Sequence, residues 1–134
     1  MKQIDTFIEN WGETDSKNRQ AFIELYDHLK RLDGVVLEFN ERPNVSYSLR
    51  PKHTSQKNRS LFAMVDVIDD DPQERWLSVC FYGEMITDPD ETGDLIPEGL
   101  LGEDGYCFDL YEYDRDEVEY LKQRLSQAWT NAKE

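Results

Sequence analysis

The chain has 134 residues, with 29 acidic against 15 basic side chains and a formal net charge of −14. That length suits one domain spanning residues 1–134, and that charge argues against a generally basic nucleic-acid binder or a basic membrane-surface protein. The longest apolar run, Leu61 to Val65, falls far short of a bilayer span. The opening MKQIDTFIENWGE has neither an apolar h-region nor a small-residue cleavage site, so no secretory signal and a cytoplasmic location are expected.

In chain order, Ile4, Phe7, Ile8 and Trp11 recur at spacings of three and four, which predicts one or two helical turns closed by Gly12. Thr14, Asp15 and Ser16 form a cap cluster. Beyond it Ala21, Phe22, Leu25, Tyr26, Leu29 and Leu32 share one face of a helix over 16–32, with Lys30 and Arg31 at its negative end and Gly34 placed to stop it. The period then changes to two. Val35, Leu37 and Phe39 alternate with Val36, Glu38 and Asn40, and Arg42-Pro43-Asn44 supplies a turn. Val45, Tyr47 and Leu49 alternate with Ser46, Ser48 and Arg50, the pattern of a strand with one wet face, which Pro51 is expected to end. A polar loop over 52–60 leads to a strand from Leu61 to Ile68. The turn Asp69 to Pro72 leads to another from Trp76 to Tyr82.

Residues 83–104 carry four glycines and two prolines and are expected to form a long irregular acidic loop, pinned by Met85, Ile86, Leu95, Ile96, Leu100 and Leu101. A fifth strand is expected from Tyr106 to Tyr113. Asp114, with Glu117 three residues on, then caps a last helix with the stripe Val118, Leu121, Leu125, Ala128, Trp129 and Ala132. The whole predicts an α+β two-layer sandwich: an antiparallel five-stranded sheet with N- and C-terminal helices on one face.

The stretches NVSYSLRPKH, LFAMVDV and WLSVCFY, with a C-terminal helix ending in LSQAWTNAK, give residues 18 to 132 a layout that resembles the YjbR-like proteins. These are small bacterial domains that share a frataxin-like antiparallel sheet covered by helices. The resemblance implies the fold and no transferable activity. The double-wing DNA-binding domains to which that fold is compared, and the iron-binding acidic ridge of frataxins, correspond to no residue motif here. The 83–104 stretch departs from the compact members.

Three features carry candidate chemistry. No acidic residue lies between Glu41 and Asp66, and this interval holds Arg50, Lys52, His53, Lys57 and Arg59. In so acidic a chain such a tip suits a phosphate or an acidic partner, against the alternative of a solvated loop. It lacks interleaved aromatics for base stacking, and the acidic body would repel a duplex, so nucleic acid is not the expected partner. The acidic loop begins like an EF-hand, with Asp88, Asp90 and Asp94 at the first, third and seventh places. Its twelfth is Gly99, so the bidentate carboxylate is missing and Asp88, Asp90 and Asp94 stand as weak metal candidates only. The third feature is the sheet face turned from the helices, where alternation places Trp76, Tyr82, Asp109 and Tyr111. This composition suits a ligand or protein partner or a homodimer, and equally a face half covered by the long loop.

Cys80 and Cys107 belong to no CxxC and have no third thiol, so zinc is not expected and reduced, semi-buried thiols are. His28 and Glu24 make two potential ligands without a third. No P-loop, GxSxG, HExxH or GxGxxG occurs. No catalytic residue and no cofactor is assigned. The reading is an interaction or ligand-binding domain. The alternative is a small enzyme between the open sheet face and the 83–104 loop, using Asp88 or Asp109 with Tyr82 or Arg50.

Overall fold

The computed structural model describes residues 2–133. The helical stripes form α1 (Lys2–Asn10), α2 (Asn18–Lys30) and α3 (Arg115–Ala132). Between α2 and α3 run β1 (Val35–Arg42), β2 (Ser46–His53), β3 (Met64–Ile68), β4 (Trp76–Tyr82), β5 (Asp94–Leu100) and β6 (Glu103–Leu110). They make one antiparallel sheet in the order β1-β2-β3-β4-β6-β5. The α+β sandwich is as expected, with six strands in place of five.

Residues paired directly across an antiparallel sheet lie on one face. The register thus sets Phe39, Leu49, Val65, Val79 and Phe108 in a single row across five strands, all of them buried. One residue away in each strand, Asn40, Ser48, Asp66, Ser78 and Asp109 make the neighbouring row on the opposite face. A single step thus turns a wholly apolar row into a wholly polar one, which is what pins the register. Phe22, Leu25 and Leu29 of α2 and Val118, Leu121 and Leu125 of α3 share a core with the apolar row. Helix α1 lays Phe7 on Phe39 and Tyr47, with ring centroids 5.3 and 4.4 Å apart. Each such buried side chain contributes about 1.5–3 kcal/mol, so all three helices are held to the same face. Among the described residues no helix is long and apolar enough to cross a membrane.

The departures from expectation have local causes. Helix α2 begins at Asn18, because Lys17 before it takes a left-handed conformation at φ 57. Asn18 is fully buried, and its amide donates to the carbonyls of Arg75 at 3.1 Å and Tyr111 at 2.9 Å. Strand β2 runs on through Pro51 to His53. A strand residue's N–H and C=O point to the same side. The Pro51 carbonyl accepts from Phe62 on the β3 side, so the missing N–H costs the ladder with β1 nothing.

The stretch expected as irregular holds a 3-10 turn (Gly83–Met85) and strand β5. Pro97 is tolerated there because β5 is an edge strand. The register shift between Ile96 and Leu100 absorbs the irregularity. Leu101 and Gly102, at φ 51 and 85, turn the chain into β6 with the two positive φ angles that a tight hairpin wants. Strand β6 ends at Leu110 rather than at Tyr113; the Tyr113 N–H instead donates to the Ser16 carbonyl at 2.7 Å, tying the entry of α2 to the exit of the sheet.

Candidate functional site

The face opposite the helices is covered at one end and open at the other. At the covered end the Arg59 guanidinium lies over the Tyr82 ring, 4.0 Å from its centroid. It is held there by Glu84 at 2.6 Å and Glu103 at 2.7 Å. Tyr82 is only 3 % exposed, and burial raises its phenol pKa. The Glu103 hydrogen bond raises the Arg59 pKa; burial opposes it, and the Glu84 hydrogen bond and the two carboxylate charges add to the rise. Two sequence candidates, Tyr82 and Arg59, are therefore locked onto each other and present little to a ligand.

In the middle of the face Asp66 is flanked by its direct partners Ser48 and Ser78. Burial pushes its carboxyl pKa upward, against the opposing pull of a Ser48 hydrogen bond and the Arg50 charge. One carboxyl oxygen of Asp66 is buried without a hydrogen-bond partner. Beside it Cys80 of β4 and Cys107 of β6, directly paired in register with Cα atoms 4.1 Å apart, form a disulfide. The expectation of two reduced thiols is thus corrected. The residues are 27 apart in the chain, and only the strand register brings them opposite one another.

At the open end Trp76 and Tyr111 pack ring on ring, with centroids 4.9 Å apart and planes at 32°. Tyr111 is 64 % exposed, and its hydroxyl faces Asp109 at 3.4 Å. The Asp109 charge, with smaller effects of burial and that hydrogen bond, raises the Tyr111 pKa, so the ring stays a neutral phenol. The pair borders an open cleft of about 520 Å³, within the span of ligand sites. The cleft is also lined by Asp15 and Ser16, Glu74 and Arg75, and Glu112. Its walls come from three separate stretches of chain, and buried Asn18 ties two of them together through Arg75 and Tyr111. The Arg75 guanidinium is already engaged by Asp69 at 2.7 Å and by the rings of Phe7, Trp11 and Tyr47.

The basic stretch does not make one patch. Arg50 stands opposite Glu38, and its Nε donates to the Ser48 hydroxyl at 3.0 Å. Lys52 shares that face, opposite Val36. His53 falls on the helix side, edge-on to Trp129 at 6.3 Å, and its Nδ1 accepts from the Ser55 N–H at 3.0 Å. Lys57 lies in the loop that follows, where Arg59 turns back onto Tyr82.

The acidic loop is likewise dispersed. Asp88 lies on the helix side, accepting from Tyr106, Tyr120 and the Gly93 N–H. Burial opposes the shift, but these hydrogen bonds outweigh it and lower the Asp88 pKa. The Asp90 N–H is spent on the Tyr120 hydroxyl, and Asp94 opens β5 opposite Cys107. No group of three or more His, Cys, Asp or Glu side chains is arranged to hold a metal ion among the described residues.

Comparison with protein-family models, curated proteins and solved structures finds no match to the chain. The functional reading therefore rests on the chain's own residues. Asn18, Glu74 and Glu112 escape the sequence reading because nothing in their neighbours' spacing shows that a cleft joins them.

Proposed function

We propose that this chain is a binding domain without catalysis that engages a partner through the uncovered end of the sheet face, around Trp76, Tyr111 and Asp109. The observation that carries this reading is exposed Tyr111 packed on half-buried Trp76 at the border of an open cleft, while the other aromatic of the face, Tyr82, is sealed under Arg59. Exposed aromatic side chains beside polar groups are the usual anchors of recognition surfaces. The alternative, an enzyme combining Asp88 or Asp109 with Tyr82 or Arg50, has less support. Asp88 bonds to Tyr106 and Tyr120 on the helix side, whereas Arg50 and Asp109 lie on the other face. No nucleophile–base pair is assembled from these candidates.

The test is comparative crosslinking in extracts of the source cells. A partner captured by the native chain is expected to be lost with Trp76→Ala/Tyr111→Ala and kept with Lys52→Glu/Lys57→Glu. Retention in the first variant and loss in the second would move the binding surface to the basic stretch.

A further inference from the structure

We infer that the cleft beside Trp76 and Tyr111 takes a basic peptide segment, an arginine- or lysine-bearing stretch of a protein partner, with a cationic side chain laid over the two rings. This rests on the binding function proposed above and narrows it to one partner chemistry.

The charge balance of the cleft is the first argument. Asp15, Glu74 and Glu112 line it and are exposed, and none of them is in an ion pair among the described residues. The one cation on the wall, Arg75, is spent on Asp69. Some acids elsewhere are matched, Glu84 and Glu103 by Arg59 and Glu24 and Glu119 by Lys122. Three uncompensated carboxylates thus lie beside the exposed Tyr111 ring, on a chain whose net charge of −14 already draws cations in.

The rings decide what kind of cation fits. Organic cations are held over the faces of Trp and Tyr, and a guanidinium can also stack on them. The same device is already used inside this molecule, where Arg59 covers Tyr82. A bare divalent ion instead needs a tight set of oxygen ligands, and the carboxylates here are not gathered into one. The cleft volume of about 520 Å³ admits a long side chain with its flanking backbone. A polyanion such as nucleic acid would meet three uncompensated carboxylates at this wall.

The experiment titrates the full chain with fluorescein-labelled hexa-arginine by anisotropy, while the indole N–H resonances of the three tryptophans are followed by NMR. A neutral Gly-Ser hexamer, hexa-glutamate and a short oligonucleotide run in parallel. Hexa-arginine is expected to move the Trp76 resonance and leave those of buried Trp11 and of Trp129 in place. Tyr111→Ala, at an exposed position and with no change of charge, should weaken binding about five- to tenfold, and Tyr111→Phe should restore it. Asp15→Asn/Glu74→Gln/Glu112→Gln should weaken binding and flatten its salt dependence. Unchanged affinity in Tyr111→Ala would mean that the acidic body alone holds the peptide, and would overturn the inference. Tighter binding of the neutral, acidic or nucleic-acid probe at Trp76 would overturn the basic chemistry while leaving the cleft a binding site. If no probe moves Trp76, this inference falls, and the crosslinking comparison then decides separately whether the face binds at all.

Discussion

Breaking the Cys80–Cys107 disulfide should lower stability by an amount set by the chain it closes. The bridged residues are 27 apart. A loop of that length, on the chain-entropy relation, removes about 12 cal/mol/K from the unfolded ensemble, or about 3.5 kcal/mol at 25 °C. Because the register already holds the two positions opposite each other on neighbouring strands, removing the bond leaves the folded sheet largely as it is, and the loss falls on the unfolded state. Against a domain stability of about 5–15 kcal/mol this is a large share. In urea, with a slope near 2 kcal/mol/M, the midpoint should fall by about 1.5–2 M. The assay compares native protein, dithiothreitol-reduced protein and Cys80→Ala/Cys107→Ala, and reductant should leave the double variant's curve unmoved. Thiol titration of oxidised protein in denaturant should find no free thiol. Two reactive thiols there, or a midpoint shift below about 0.3 M, would refute the reasoning and return both cysteines to the role of small buried side chains.

Leu125→Ala, at a fully buried position of α3, should cost about 2–5 kcal/mol in urea melts; a loss below about 0.5 kcal/mol would mean the helix does not pack as described. Asn18→Ala leaves the Arg75 and Tyr111 carbonyls without a donor and should cost about 2–4 kcal/mol, as well as broadening the Trp76 indole resonance as the cleft walls part. Asp66 has a carboxyl pKa raised by burial in the folded state. A raised carboxyl pKa favours the folded state below the unfolded value, near 4, and that advantage is lost as pH rises through the folded value. Asp66→Asn should therefore gain stability relative to the native chain on going from about pH 4 to pH 7. A difference that stays flat over that window would show that Arg50 and Ser48 fully compensate the buried charge.

Much of the architecture is legible in the residues because it depends on local periodicity alone. The stripe from Ala21 to Leu29 makes α2. Asp114 caps α3 as read, its carboxylate accepting from the Asp116 and Glu117 N–H groups. Alternation places Val65, Val79 and Leu49 inward. These patterns repeat at two or at 3.6 residues, and chemistry within a turn or a strand is enough to express them. Strand β5 was hidden because Pro97 and Gly99 are turn signals anywhere except on an edge strand, and edge position is a property of the assembled sheet.

The candidate site was legible only in part. Alternation correctly put Trp76, Asp109 and Tyr111 on the face away from the helices, but it had no means of separating them from Tyr82, which Arg59 seals from 23 positions away in the chain. The same holds for the cysteine pair, for Asp88 beneath Tyr106 and Tyr120, and for the cleft joined by Asn18. In each case distant residues meet because of strand register and helix placement, and these offsets are set by the packing of the whole core rather than written in any local run of sequence. What the sequence by itself determined is which residues form each element and which side of it is apolar. What only the tertiary structure decided is which polar side chains are consumed by one another and which are left facing solvent with charge and aromatic surface to spare.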